Sequence, residues 1–160
     1  MRATLSPVCL LGALLALAAC ETPPQPGTAA LDAAIPASVA AEWQGKVIVA
    51  DFWATWCPPC RASSPNVQAL HEQFAGDSGV LVVGVHADDA VDDPAAYMAE
   101  HQYTYPLVAK GQEVADAFGV NALPTFVVLD PQGREVFRHV GLLNDSARDT
   151  IADRVRALRG

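Results

Sequence analysis

From Lys46 onward the chain falls into apolar runs separated by short breaks rich in Gly, Pro and charge. "KVIVADFW", Lys46 to Trp53, is almost continuously apolar and rich in Val and Ile, the pattern of a strand covered on both faces in a parallel sheet. Val67, Leu70 and Phe74 then recur at i, i+3 and i+7, so the periodicity predicts an amphipathic helix from Pro59 to about Ala75, bent near Pro65. "VLVVGV", Val80 to Val85, reads as a second buried strand, and Asp92 to His101 as a helix opened by Asp and by Pro94. Tyr105 to Val108 predicts a short strand and Glu113 to Phe118 a short helix ended by Gly119. "PTFVVLD", the turn "PQG" and Glu135 to Val140 predict a hairpin. Ile151, Val155 and Leu158 set one face of a last helix, Ser146 to Leu158, with acids near its start and arginines near its end, as the macrodipole favours. Alternating elements closed by a hairpin and a helix predict one α/β domain around a mixed sheet.

The beginning of the chain has another character. Arg2 is followed by an apolar run from Val8 to Ala19, shorter than the roughly 20 residues that a membrane span needs. Leu17-Ala18-Ala19-Cys20 resembles the lipobox of bacterial lipoproteins. The resemblance implies a signal peptide over 1–19, lipid on Cys20 and the bilayer as a partner, held by more than one acyl chain. Residues 20–34 then form the lipidated Cys and a linker, for "ETPPQPGTAALDAA" has no periodicity and cannot build a core. Fully extended, it reaches about 40 Å. Residues 35–160 remain as the single folded domain. The formal net charge of −8, one unit more negative once Arg2 is lost, argues against a nucleic-acid partner and against electrostatic adhesion to anionic lipid.

Four cysteines shrink to two under this reading, since Cys9 leaves with the leader and Cys20 takes the lipid. Cys57 and Cys60 close too small a loop to act as a useful structural staple. Zinc needs about four ligands, and there is no second CxxC and no paired spacing among His71, His86, His101 and His139. A pair at a helix N-terminus puts the first sulfur against free backbone N–H groups, which favours a thiolate. Cys57 is therefore the expected nucleophile and Cys60 the shielded, resolving cysteine. Pro58 and Pro59 remove two amide donors from that turn, so the sulfur is acidified less than it could be. Asp51 stands in the middle of an apolar strand, where burial raises its pKa and suits it to take and return a proton for Cys60. The alternative is a structural Asp that meets a backbone amide near the helix start.

"ADFWATWCPPC" together with "LPTFVVLD" resembles the thioredoxin superfamily, and "FWATWCPPCR" resembles its TlpA/ResA branch of membrane-tethered thiol:disulfide oxidoreductases, over roughly residues 45–160. The resemblance implies a thioredoxin fold, no cofactor beyond the redox-active Cys57–Cys60 pair, and a cis Pro124 facing the dithiol. Pro124 with Leu123 would then present a substrate strand, and Trp56 would offer apolar surface beside Cys57. Core packing is the alternative for Leu123, Trp56 is equally open to a packing role, Trp53 reads as core, and Arg61 as a solvated helix residue. The stretch from Asp88 to Phe118 resembles the branch's α/β insertion before the cis-proline strand. Two departures stand out: Ser63 occupies a position where the branch often has Glu, and Asp51 one where it often has Asn. Of the branch's N-terminal hairpin only "WQGK", Trp43 to Lys46, is recognisable.

The branch implies a reductant of exported proteins that contain disulfides, such as apocytochrome c, recharged by a membrane or soluble thiol donor. The domain would face the periplasm on a lipid anchor. Glu21 after Cys20 leaves inner and outer membrane open. Rival readings are a disulfide oxidase or isomerase, a Cu(I)-delivery module using the dithiol with His139, a peroxidase passing through a sulfenic acid at Cys57, and a noncatalytic docking protein.

Overall fold

The structure is a computed structural model that describes residues 41–90 and 93–160. The expected leader, Cys20 and the linker lie outside the described residues. Strand β1 (Val47–Trp53) occupies the centre of a five-stranded sheet of order β3-β2-β1-β4-β5. It pairs in parallel with β2 (Val80–His86), which sets Asp51 beside Gly84, and antiparallel with β4 (Thr125–Leu129), which sets Asp51 beside Phe126. The two-residue β3 (Leu107–Val108) extends β2 in parallel, and β5 (Glu135–Val140) closes the hairpin with β4.

β1, β2 and β4 are buried along their whole lengths, as their unbroken apolar runs require. Alternation along β1 sends Val47, Val49 and Trp53 to one face and Ile48, Ala50 and Phe52 to the other. The first face is covered by α1 (Pro58–Phe74), through Val67 and Leu70, and by α4 (Asp145–Arg159), through Ile151 and Val155. Met98 of α2 (Pro94–Glu100) joins the same layer. The second face is covered by α3 (Gln112–Ala117), Phe118 and Trp43. Trp43, from the recognisable "WQGK" piece, is thus a core residue.

Elements end close to where the sequence sets them. α1 starts one residue earlier than its periodicity indicates, because Pro58 and Pro59 both fit the first turn with their fixed φ. It continues through Pro65, which lacks the N–H that would bond the Arg61 carbonyl. α2 starts at Pro94 rather than at Asp92: Asp93 is its N-cap, its Oδ1 accepting from Ala96 N at 3.0 Å. The strand expected from Tyr105 shortens to Leu107–Val108, since Pro106 has no N–H to give a ladder and contributes only its carbonyl, to Gly84 N at 2.9 Å. Gly111, ahead of α3, lies against β2 and donates to His86 O at 2.9 Å. A Cβ at Gly111 would stand 2.4 Å from Val85 Cγ1 and 2.8 Å from His86 O, so only glycine permits that approach.

Candidate active site

Where β1 ends, Ala54 to Trp56 turn the chain and Cys57 begins α1 as its N-cap, in an extended conformation with φ −87° and ψ 108°. Cys57 and Cys60 form a disulfide with an S–S distance of 2.07 Å. Pro58 and Pro59 fill the first two helical positions, so Cys60 is the first helical residue with an amide proton. That proton goes to Cys57 Sγ, at an N···S distance of 3.3 Å. A helix N-terminus that ordinarily offers several free N–H groups here aims a single one at the sulfur.

Both cysteines are buried, at 3 % and 1 % exposure. Cys57 nevertheless lines an open groove of about 470 Å³ with Trp56, Pro58, Gln112, Asn121 and Leu123. Trp56 is more than half exposed, and its indole is pinned by donation to Asp88 Oδ2 at 2.8 Å. Leu123 packs at the margins of both core layers and also lines the groove. The Leu123–Pro124 peptide bond is cis. Around it Gly141 N donates to Pro124 O (2.9 Å) and Thr125 Oγ1 to Ala122 O (2.8 Å), which fixes the segment at the start of β4. Trp56, Cys57 and Leu123 thus share the groove, with Pro124 one residue behind its wall.

Asp51 and Cys60 lie in the layer between the sheet and α1. Asp51 is 2 % exposed, its Oδ1 has no hydrogen-bond partner, and burial pushes its pKa up from 3.8 to about 8. The alternative of a structural Asp bonded to a backbone amide at the helix start finds no such bond on Oδ1. Ser63, where the related branch often has an acid, is fully buried. Its Oγ donates to Pro59 O at 2.8 Å and accepts from Leu143 N at 2.9 Å, tying α1 to the segment before α4. It is a brace rather than a titrating group.

The other expected residues stand outside the groove. Trp53 is core, edge-on to His86 with ring centroids 5.5 Å apart. Arg61 is exposed on α1. His139 is on β5, where its Nε2 meets Leu142 O at 3.2 Å. Among the described residues no group of three or more His, Cys, Asp or Glu side chains is arranged to hold a metal ion. Gln112 and Asn121 were not foreseen in the groove. They lie on segments distant in sequence from the dithiol, and only the sheet order brings them to it.

A mixed sheet flanked by helices, with a cysteine pair capping the helix after its central strand and a cis proline opening β4, defines a thioredoxin-fold protein. The chain belongs to the AhpC/TSA family, whose model matches residues 27–136, and within the thioredoxin superfamily it is TlpA/ResA-like. It is similar to the thiol-disulfide oxidoreductase ResA of Halalkalibacterium halodurans, 27 % identical over 116 residues that make up 72 % of this chain and 65 % of that one. It is also similar to the thioredoxin-like protein YneN of Bacillus subtilis, 29 % identical over 111 residues, 69 % of this chain and 65 % of that one. The chain therefore spans less than two thirds of the length of these curated relatives. Among solved structures, a thiol:disulfide interchange protein of the thioredoxin family from Chlorobium tepidum is 28 % identical, with a TM-score of 0.64 over 76 % of this chain and 85 % of that one.

Proposed function

We propose that this chain is a thiol:disulfide oxidoreductase that reduces disulfides in exported proteins. The observation that carries the reading is the Cys57–Cys60 disulfide at the N-cap of α1, lining a groove, with a buried, desolvated carboxyl at Asp51 on the strand that leads into it. In the reduced protein, Cys57 thiolate attacks one sulfur of a disulfide lying in the groove, and the other sulfur of the substrate leaves as a thiolate. Asp51, as carboxylate, takes the proton of the Cys60 thiol. Cys60 then attacks Cys57 Sγ, the bond to the substrate breaks, and the substrate departs carrying two electrons. Cys57–Cys60 is left oxidised, and a thiol donor outside this chain restores it. Leu123, ahead of the cis Pro124, offers its main chain to an extended substrate segment, and Trp56 covers the apolar part of the same segment.

The reducing direction is supported by the sparing use of amide donors at Cys57, since a less stabilised thiolate favours the disulfide form of the enzyme and so makes the dithiol a stronger reductant. The leader that resembles a lipobox supports lipid anchoring through Cys20 on the periplasmic side, and apocytochrome c belongs to the substrate class that this placement makes available. The deciding measurement is the reduction potential of the pair in glutathione or dithiothreitol buffers. A value near thioredoxin's, about −270 mV or lower, is expected, whereas one near DsbA's, about −120 mV, would make the protein an oxidant. Cys60→Ser is expected to accumulate mixed disulfides through Cys57, and Cys57→Ser to abolish turnover of a disulfide substrate such as insulin. Undiminished turnover in Cys57→Ser would remove the proposal altogether.

A further inference from the structure

Beneath the dithiol, the layer that holds Asp51 contains further polar atoms that the exchange reaction does not use. The neighbour of Asp51 across β2 is Gly84, which has no side chain to fill the space on that face. Two aromatic rings converge there instead. A Cβ built on Gly84 would stand 3.0 Å from Trp53 Nε1 and 3.0 Å from Tyr105 Cε2. Trp53 comes from β1 itself, two residues beyond Asp51 and on the same face. Tyr105 comes from the segment between α2 and β3, within the insertion that separates β2 from β4, and it is 2 % exposed.

The hydrogen-bond inventory of this corner is unbalanced in one direction. Asp51 Oδ1 is a buried acceptor with no donor. Trp53 Nε1–H and the Tyr105 hydroxyl are buried donors with no acceptor. Ser64 Oγ, on α1, already donates to Cys60 O at 3.1 Å and approaches the Tyr105 hydroxyl without completing a bond. Leaving such groups unpaired in a core is costly, and a native interior rarely bears it without a purpose. Tyr105 is also close enough to Asp51 for its ionisation, already opposed by burial, to be opposed further by the carboxylate charge.

We propose that the Tyr105 hydroxyl and the Trp53 indole N–H are the donors that hold the Asp51 carboxylate when Asp51 has given up its proton. They are positioning residues that set the pH at which Asp51 takes the proton of Cys60. Burial disfavours the charged form, and donors placed beside it restore part of the difference. With Asp51 protonated the donors stand idle, and when it ionises they turn to it. The device rests on the acid–base role given to Asp51 above, and it brings the insertion into the exchange chemistry: Tyr105 is the insertion's contribution to the buried acid. The titratable groups facing this corner are Asp51, Cys60 on α1, Tyr105, His86 at the end of β2, Tyr97 of α2 against the Trp53 ring and Tyr103 stacked on Tyr105.

The test is a direct titration of the Asp51 side-chain carboxyl by carbon-13 NMR in the reduced, full-length protein, which reads the acid without needing any turnover. Tyr105→Phe keeps the ring and removes the donor, and it is expected to raise the Asp51 midpoint by at least about half a pH unit. Trp53→Phe is expected to act in the same direction. Gly84→Ala, which drives a Cβ against both rings, gives a second route to the same shift if Tyr105→Phe fails to fold. An Asp51 midpoint unchanged in Tyr105→Phe, or in Gly84→Ala where that variant has to stand in, overturns the inference. So does a pH profile of disulfide exchange that Tyr105→Phe shifts equally in an Asp51→Asn background. A shifted carboxyl titration in a protein that exchanges no disulfides would sustain the inference and sink the functional reading instead.

Discussion

At the scale of single residues the most consequential choice is a carboxyl at position 51. Folded, Asp51 binds its proton up to about pH 8, while in the unfolded chain it releases it near 3.8. Between those values the folded state holds more protons than the unfolded state, so the stability linked to this group is fully present below 3.8 and is lost as pH rises to about 8. Asp51→Asn is therefore expected to raise the unfolding free energy at pH 7 by about 2 to 4 kcal/mol and to give little gain at pH 4. Denaturant unfolding at the two pH values checks it, and an equal effect at both would show that desolvation is not the cause. Asp51 was legible in the sequence because a charged residue inside "VIVADFW" has nowhere to go but the core. Tyr105 was not, because nothing in "QYTYP", Gln102 to Pro106, tells whether Tyr103 or Tyr105 turns inward.

At the scale of elements, strands and helices followed directly from apolar periodicity, and their ends from capping chemistry. The exceptions lie where a proline or a tertiary contact overrides the pattern. β3 is short because Pro106 interrupts the ladder, and α3 begins where it does because Gly111 is pressed onto β2. Gly111→Ala would drive its methyl into backbone as well as into Val85, and overpacking of this kind costs about 1–3 kcal/mol. Since α3 supplies Gln112 and Ala115 to the groove, the same variant is expected to lower exchange activity at temperatures where the fold still persists. Thermal unfolding and turnover measured together check this, and a variant as stable as the parent would show that α3 can move away at no cost. The Ser63 brace is another tertiary effect, invisible in sequence because its partner, Leu143 N, is 80 residues away.

At the scale of the whole molecule, the α/β class was legible from alternation alone, whereas the sheet order was not. Strand order decides that β1 lies between β2 and β4, and hence that the cis-proline segment, the dithiol and α3 meet in one groove. Periodicity gives the strands but not their neighbours; the paired motifs supplied what periodicity could not. No helix among the described residues is long and apolar enough to cross a membrane. If Cys20 carries the lipid, the full chain expressed in a bacterium fed an alkynyl fatty acid is expected to incorporate the label, and Cys20→Ser to lose it. An unlabelled parent chain would end that reading.

β5 has a meaning beyond the hairpin that it completes. It ends the described sheet, half open to water, with one side of its backbone free to pair with another chain. Molecules tethered to a surface sit at high local density and share an orientation, conditions under which open edges seed fibrils. Here Glu135 and Arg138 form a charged clasp on that strand, Arg138 also grips Phe118 O, and a register shift at Val128/Leu129 spoils the regular edge. For copies anchored through Cys20 as proposed, crowding would then bring neighbours together without stitching them into one continuous sheet.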